Sequence, residues 1–227
     1  MTAYGTPSVP HRLRDRKDAG EQLAARLVRF RDQRPVVLAL PRGGVAVAFE
    51  VAQRLGVPLN LLIVRKIGAP DNPEYGLGAL VEDGTRFVDA RRVREGGYSP
   101  QDLEPTIALE LEEIRRRATA YRRGAPLADL TDRTVILVDD GVATGASVLA
   151  AIRAVRNHRP RRVVVAVGVA PSDTVAQLGR EADEVVVLVE PPVFFAVSEW
   201  YRQFDQVSDE EVQELLERAR STRAVSD

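Results

Sequence analysis

The chain has 227 residues, no cysteine, two histidines and a formal net charge of −1 at pH 7. Disulfides, thiolate metal sites and a catalytic thiol are excluded, and a histidine-centred metal site or hydrolase triad has little to be built from. Balanced charge argues against long-range attraction to nucleic acid or anionic membrane, and no apolar run approaches the roughly 18 residues that span a bilayer.

Met1 to Pro10 is polar and Pro-containing, without the apolar centre of a signal peptide. Residues 1–14 read as a loose extension and 15–227 as a single domain of a cytoplasmic protein. From Asp15 to Arg31, Leu23, Leu27 and Phe30 fall at helical spacing, which predicts a helix stopped by Pro35. Val36 to Leu40 reads as a short buried strand, Pro41-Arg42-Gly43-Gly44 as a turn, and Val45 to Leu55 as a helix ended by Gly56. Leu59 to Val64 is the next apolar strand. A loop from Arg65 to Glu74 leads into extended pieces over Leu77–Val81 and Arg86–Val88, with Asp83-Gly84 as a hairpin turn between them. Pro100 to Arg123 is strongly helical, with Ile107, Leu111 and Ile114 on one face, and reads as an insertion or a homodimer surface. Its arginines, 115–117 and 122–123, read as a solvated face that Glu110, Glu112 and Glu113 can neutralise one turn away.

The most informative stretch follows. Val135 to Ser147 reads Val-Ile-Leu-Val-Asp-Asp-Gly-Val-Ala-Thr-Gly-Ala-Ser: a buried strand delivers two acids to its carboxyl end. A small-residue loop then opens a helix over Gly145–Asn157, where backbone N–H groups and the helix dipole favour an anion. The elements after it alternate: strand Arg162–Val169, helix Ser172–Gly179, strand Glu184–Val189, and a last helix Ser208–Arg220 opened by Ser-Asp-Glu-Glu. His158 falls at a helix end, where a solvated imidazole is favoured. Apolar strands alternating with helices predict a doubly wound, mostly parallel sheet covered on both faces.

Asp139, Asp140, Gly141, Val142, Ala143, Thr144 and Gly145 resemble the phosphoribosyl-diphosphate (PRPP) signature of the type I phosphoribosyltransferase family, an acid pair followed by a small-residue loop ending Thr-Gly. The resemblance covers roughly Val36 to Val169. It implies a core over about 36–189, a variable C-terminal hood and helix over about 190–220, and an insertion over about 100–123. It further implies that Asp139 and Asp140 bind the ribose hydroxyls while Gly141 to Gly145 wrap the 5′-phosphate. On residues alone the acids also suit a strand end, with Thr144 capping the helix. The segment lacks the Gly-Lys-Ser/Thr of a Walker loop and the glycine spacing of a dinucleotide fingerprint. Ser147 does not sit in a nucleophile elbow.

Arg42, Gly43 and Gly44 offer a cation and two residues without Cβ, so that backbone can approach an oxyanion. The turn resembles the family's diphosphate-binding loop, in which several members carry a cis peptide not preceding proline; by position the bond here is Pro41–Arg42. Arg65 and Lys66 resemble the basic pair that members place on the diphosphate, and the following loop, to about Gly78 with Glu74 and Tyr75, resembles a mobile flap. Lys66 stands out because only it and Lys17 are lysine among 32 basic residues. The implied reaction moves ribose 5-phosphate from PRPP to a nitrogenous acceptor, with Mg²⁺ held mainly by the ligand and no metal ligand of the protein's own beyond proximity to Asp139 and Asp140. Asp139, Asp140 and Lys66 are the catalytic candidates. Members acting on 6-oxopurines carry an acid directly before Thr-Gly; Ala143 cannot accept a proton, which weakens that reading. Phe194, Phe195, Trp200 and Tyr201, with Phe204, suit an acceptor hood or equally a pin for the final helix. The alternative is a regulator that binds PRPP without turning it over.

Overall fold

The computed structural model describes residues 12–123 and 125–224. Its core is a five-stranded, all-parallel sheet in the order β2-β1-β6-β7-β8, formed by β1 (Val36–Ala39), β2 (Leu59–Leu61), β6 (Thr134–Gly141), β7 (Arg162–Val169) and β8 (Glu184–Val189). The alternation of a strand divides each buried run between two apolar layers. Ile136 and Val138 of β6 and Val164 and Ala166 of β7 pack under α1 (Arg16–Leu27) and α2 (Gly43–Leu55). Val135, Leu137, Val163, Val165 and Val167 pack under α5 (Ala146–Asn157), with Leu178 of α6 (Ser172–Leu178). Both faces are therefore covered, and each fully buried valine of the central strands contributes about 1.5–3 kcal/mol.

Between β2 and β6 the chain builds a second, antiparallel sheet of β3 (Val64–Gly68), β4 (Gly76–Val81) and β5 (Arg86–Val88), then α3 (Ala90–Glu95) and α4 (Pro100–Arg122). Here the expectation needs correction. The run Leu59–Val64 is not one strand: Leu62 N–H still bonds Ala39 in the main sheet, but Ile63 carbonyl accepts from Glu82, and the chain turns away to pair with β4. Arg65 and Lys66 thus lie inside β3 rather than at the end of a core strand. The segment expected as a flap loop is a β-hairpin, its tip closed by Ala69 N–H to Tyr75 and Tyr75 N–H to Asn72. The long helix α4 buries Leu103, Ile107 and Ile114 and packs on β3 and β4. Its Glu113 pairs with Arg116 and Arg117, and Arg122 pairs with Glu82 of the hairpin.

Of the expected loose extension, 1–11 lie outside the described residues, His11 among them, and residues 12–14 are not loose. Leu13 is fully buried, donates its N–H to the Trp200 carbonyl at 2.9 Å and accepts from Arg202. An apolar side chain in the core and two backbone bonds tie this segment to residues 200–202. Among the described residues, no helix is long and apolar enough to cross a membrane.

Candidate functional site

From β1 the chain moves outward to β2 and later returns to the other side of β1 as β6. Strand order reverses at that point, where the loops leaving two parallel neighbours part and open a crevice at their carboxyl ends. Pro41 and Arg42 make the turn that leaves β1 there, whereas Gly43 and Gly44, expected within that turn, are the first two residues of α2; the acid pair ends β6. They touch. A Cβ on Gly43 would fall 2.0 Å from Asp140 Oδ2, and one on Gly44 would fall 2.7 Å from the Val138 carbonyl oxygen and 3.0 Å from Asp139 Oδ1. Both glycines are required by this approach. The Pro41–Arg42 peptide bond is cis, at the position inferred from the family.

Asp140 shares the parity of Ile136 and Val138, which turns it toward the α1 side of the sheet. Its Oδ2 accepts from Arg16 Nε at 2.7 Å, both side chains being 13% exposed. The Arg16 guanidinium lies 3.9 Å from the Phe204 ring centroid and donates to the Asp205 carbonyl at 2.6 Å. The Asp140 backbone carbonyl accepts from Tyr201 Oη at 2.5 Å, a contact that only Gly168 allows, since a Cβ there would lie 2.1 Å from that hydroxyl. Burial, then the nearby Asp140 charge, pushes the Tyr201 phenol well above its usual range. Asp139 accepts from the Asp140 N–H at 2.9 Å. Burial, then the adjacent Asp140 carboxylate, holds its carboxyl well above the ordinary range.

In the loop that follows, Val142 is committed to the sheet: its side chain is buried and its N–H bonds the Val169 carbonyl at 2.8 Å. Ala143 and Thr144 are exposed, and the Ala143 carbonyl accepts from Thr174 Oγ1 at 2.7 Å. Gly145, at φ 80°, is the N-cap of α5; Thr144 is not. The donors left for an anion are therefore the amides from Ala143 into the first turn of α5.

Ala143 and Thr144 line a cleft of about 870 Å³ together with Phe194 and Phe195 and with Arg91 and Arg92 of α3. The aromatic group splits here. Phe195 is 80% exposed at the cleft, whereas Trp200 and Tyr201 are buried in the core at 8% and 4%. Trp200 and Tyr201 thus do not offer a stacking face; they anchor the hood, and Tyr201 reaches Asp140 from behind.

Each cation expected at the diphosphate rests on a carboxylate or carbonyl. Arg42 lies 3.5 Å from Asp209, the first residue of α7 (Asp209–Ala224), which also accepts from Tyr121 Oη at 2.5 Å. That hydrogen bond, with the surrounding arginines, lowers the Asp209 carboxyl, and burial with the same bond raises the Tyr121 phenol to about 12. Arg65 donates to Glu110 of α4 at 2.6 Å, and Lys66 to the Glu74 carbonyl at 2.8 Å. Sequence reasoning passed over Arg16, Arg91, Arg92 and Asp209. A signal existed for Arg16: a cation opening a helix opposes the dipole, which marks a residue placed for something else.

Acids, small-residue turn and helix N-terminus meeting at one switch point give this α/β domain the layout of a type I phosphoribosyltransferase fold. A phosphoribosyl transferase domain model matches residues 11–203, and the chain belongs to that family. Two Mycobacterium tuberculosis proteins, from strains CDC 1551 / Oshkosh and H37Rv, are 47% identical to it over 205 residues. Both are named provisionally as phosphoribosyl transferases. That match covers 90% of this chain and 46% of each relative, so the chain spans about half their length. The crystal structure of TT1426 from Thermus thermophilus superposes with a TM-score of 0.75 at 48% identity, covering 90% of this chain and 97% of that one.

Proposed function

We propose that this domain transfers the ribose 5-phosphate of PRPP to a nitrogen of a planar heterocycle, a nucleobase or a relative of one, and releases pyrophosphate. The observation that carries the reading is the contact of the 41–44 turn with Asp139 and Asp140. One ligand with phosphates at both ends of a sugar answers to all three elements at the switch point. Asp139 and Asp140 accept from the ribose hydroxyls. The amides from Ala143 into the first turn of α5, flanked by Gly141, Val142, Thr144 and Gly145, take the 5′-phosphate. Gly43 and Gly44 admit the diphosphate to the backbone. Arg42, Arg65 and Lys66 exchange their present partners for its oxygens.

The bond from ribose C1 to the diphosphate oxygen breaks as the acceptor nitrogen bonds C1, and charge separates between ring and leaving group. The acids beside the ring favour its positive character, and the three cations favour the departing pyrophosphate. Asp139 and Asp140 are hard oxygen donors that would suit Mg²⁺. The fit is to an ion carried chiefly by the ligand's oxygens, and when bound it supplies neutralising charge at the diphosphate. Phe194 and Phe195 are the stacking surface for the acceptor. Ala143 provides no proton acceptor, so an acceptor nitrogen that needs no base at that position fits this cleft best.

The test is a pyrophosphate-release screen over nitrogenous bases with PRPP and Mg²⁺. Turnover on at least one base is expected. PRPP binding with no turnover on any base would replace the transferase by a regulator that reads PRPP.

A further inference from the structure

Arg16 comes from helix α1, 124 positions away in the chain, to reach Asp140, and its side chain has three separate contacts. Its Nε is 2.7 Å from Asp140 Oδ2, its plane lies over Phe204 at 3.9 Å, and its Nη1 donates to the Asp205 carbonyl at 2.6 Å. The segment that carries it is itself pinned: Leu13 and Arg14 exchange backbone hydrogen bonds with Trp200, Arg202 and Gln203. The same C-terminal stretch brings the Tyr201 hydroxyl to the Asp140 carbonyl. Side chain and backbone of one aspartate are thus gripped by a strap made of residues 13–16 and 200–205, while the neighbouring Asp139 carboxylate accepts a local bond from the Asp140 N–H. Gly43 closes the third side, for its Cβ position falls 2.0 Å from Asp140 Oδ2 and 3.1 Å from Arg16 Nε.

A guanidinium fixed in this way does two things to a carboxylate. It occupies one oxygen and holds the group in one rotamer, so that the other oxygen keeps a constant aim. It also places a counter-charge on a single acid of an adjacent pair. We infer that Arg16 is a positioning residue for the sugar: through its bond to Asp140 it sets the orientation in which the acid pair meets the ribose hydroxyls of PRPP. This inference rests on the reading that Asp140 contacts the ribose. It adds to the site a residue from helix α1, outside the segment that carries the family signature.

Calorimetry on the intact chain separates the two claims, using PRPP with Mg²⁺ and inorganic pyrophosphate as probes. Arg16→Gln should weaken PRPP binding about tenfold or more, the loss of one charge-assisted hydrogen bond, and leave pyrophosphate affinity within about twofold, because the 41–44 turn is untouched. Arg16→Lys, which keeps the charge but not the fork, should recover part of the loss. Asp140→Asn combined with Arg16→Gln should bind no more weakly than Asp140→Asn alone, since Arg16 acts through Asp140. Thermal melting identifies any variant that fails to fold, and Phe204→Leu, which removes the ring beneath the guanidinium together with its packing on Tyr201, then stands in with the same expected selectivity for PRPP over pyrophosphate. Unchanged or tighter PRPP binding by Arg16→Gln would overturn the inference, as would losses at 16 and 140 that multiply. Wild-type protein that binds neither probe would instead overturn the PRPP reading itself, and this inference with it.

Discussion

Gly43 lies against the Asp140 carboxylate so closely that a Cβ would stand 2.0 Å from Oδ2 and 2.6 Å from the carboxyl carbon. Arg16 tethers that carboxylate, so it cannot retreat without breaking an ion pair. Gly43→Ala is therefore expected to displace Asp140 and lower PRPP affinity at least about tenfold, or 1.4 kcal/mol, with a smaller effect on melting. Calorimetry beside a thermal melt checks this, and an alanine tolerated at full affinity would mean that turn and acid serve different ligands.

Asp139 predicts a dependence of stability on pH. A carboxyl whose pKa is raised on folding binds its proton more tightly in the folded chain. The stability this gives is present at low pH and is lost as the pH climbs from the unfolded value of about 4 through the raised folded value. Asp139→Asn removes the charged form. The variant should melt above wild type at pH 7.5, by about 2–4 °C for each kcal/mol relieved at this chain length, and the two should converge near pH 4. Equal melting at both pH values would mean that Asp139 is not a strained anion.

Tyr201 tests the support behind the acids. Tyr201→Phe removes the hydroxyl that donates to the Asp140 carbonyl at 2.5 Å and fills the space above Gly168. The cost should be about 1–3 kcal/mol, read by chemical denaturation, with PRPP affinity falling as well. A full-affinity Phe variant would reduce Tyr201 to packing.

Lys66 is nearly half exposed, at 46%, and its ammonium rests on the hairpin tip. Lys66→Ala should leave melting within about 1 °C, as surface changes generally do, and lower turnover about tenfold or more. Lys66→Arg should recover part of it. Wild-type turnover in the alanine variant would remove Lys66 from the catalytic residues.

Much of the core could be read from residues. β7 and β8 fall where apolar runs of strand length predict them, over Arg162–Val169 and Glu184–Val189: the run is unbroken in both, with β7 buried on both faces and β8 half-buried at the sheet edge. That the segment after β1 and the acid pair after β6 open into one crevice was legible only on the condition that the two strands are neighbours, and the sheet order supplies that condition. What escaped depends on tertiary pairing. Nothing in Leu59–Val64 marks the point where the chain leaves one sheet for another, since Ile63 is as apolar as Leu61. Helix α3 is six residues long, too short for periodicity to show, and its Asp89 cap is visible only beside the structure. Phe194, Phe195, Trp200 and Tyr201 look alike in sequence, yet a few residues of chain separate a cleft wall from a buried anchor. The role of Arg16 depends on a partner 124 positions away.

The most direct measurement is calorimetric titration of the wild-type chain with PRPP and Mg²⁺, beside the Asp139→Asn, Asp140→Asn double variant. One site per chain is expected, with affinity lowered at least about tenfold in the variant, since each charge-assisted hydrogen bond lost costs about 1.5–3 kcal/mol. No heat of binding in the wild type, or equal affinity in the variant, would contradict the claim that these strand ends hold one sugar phosphorylated at both ends.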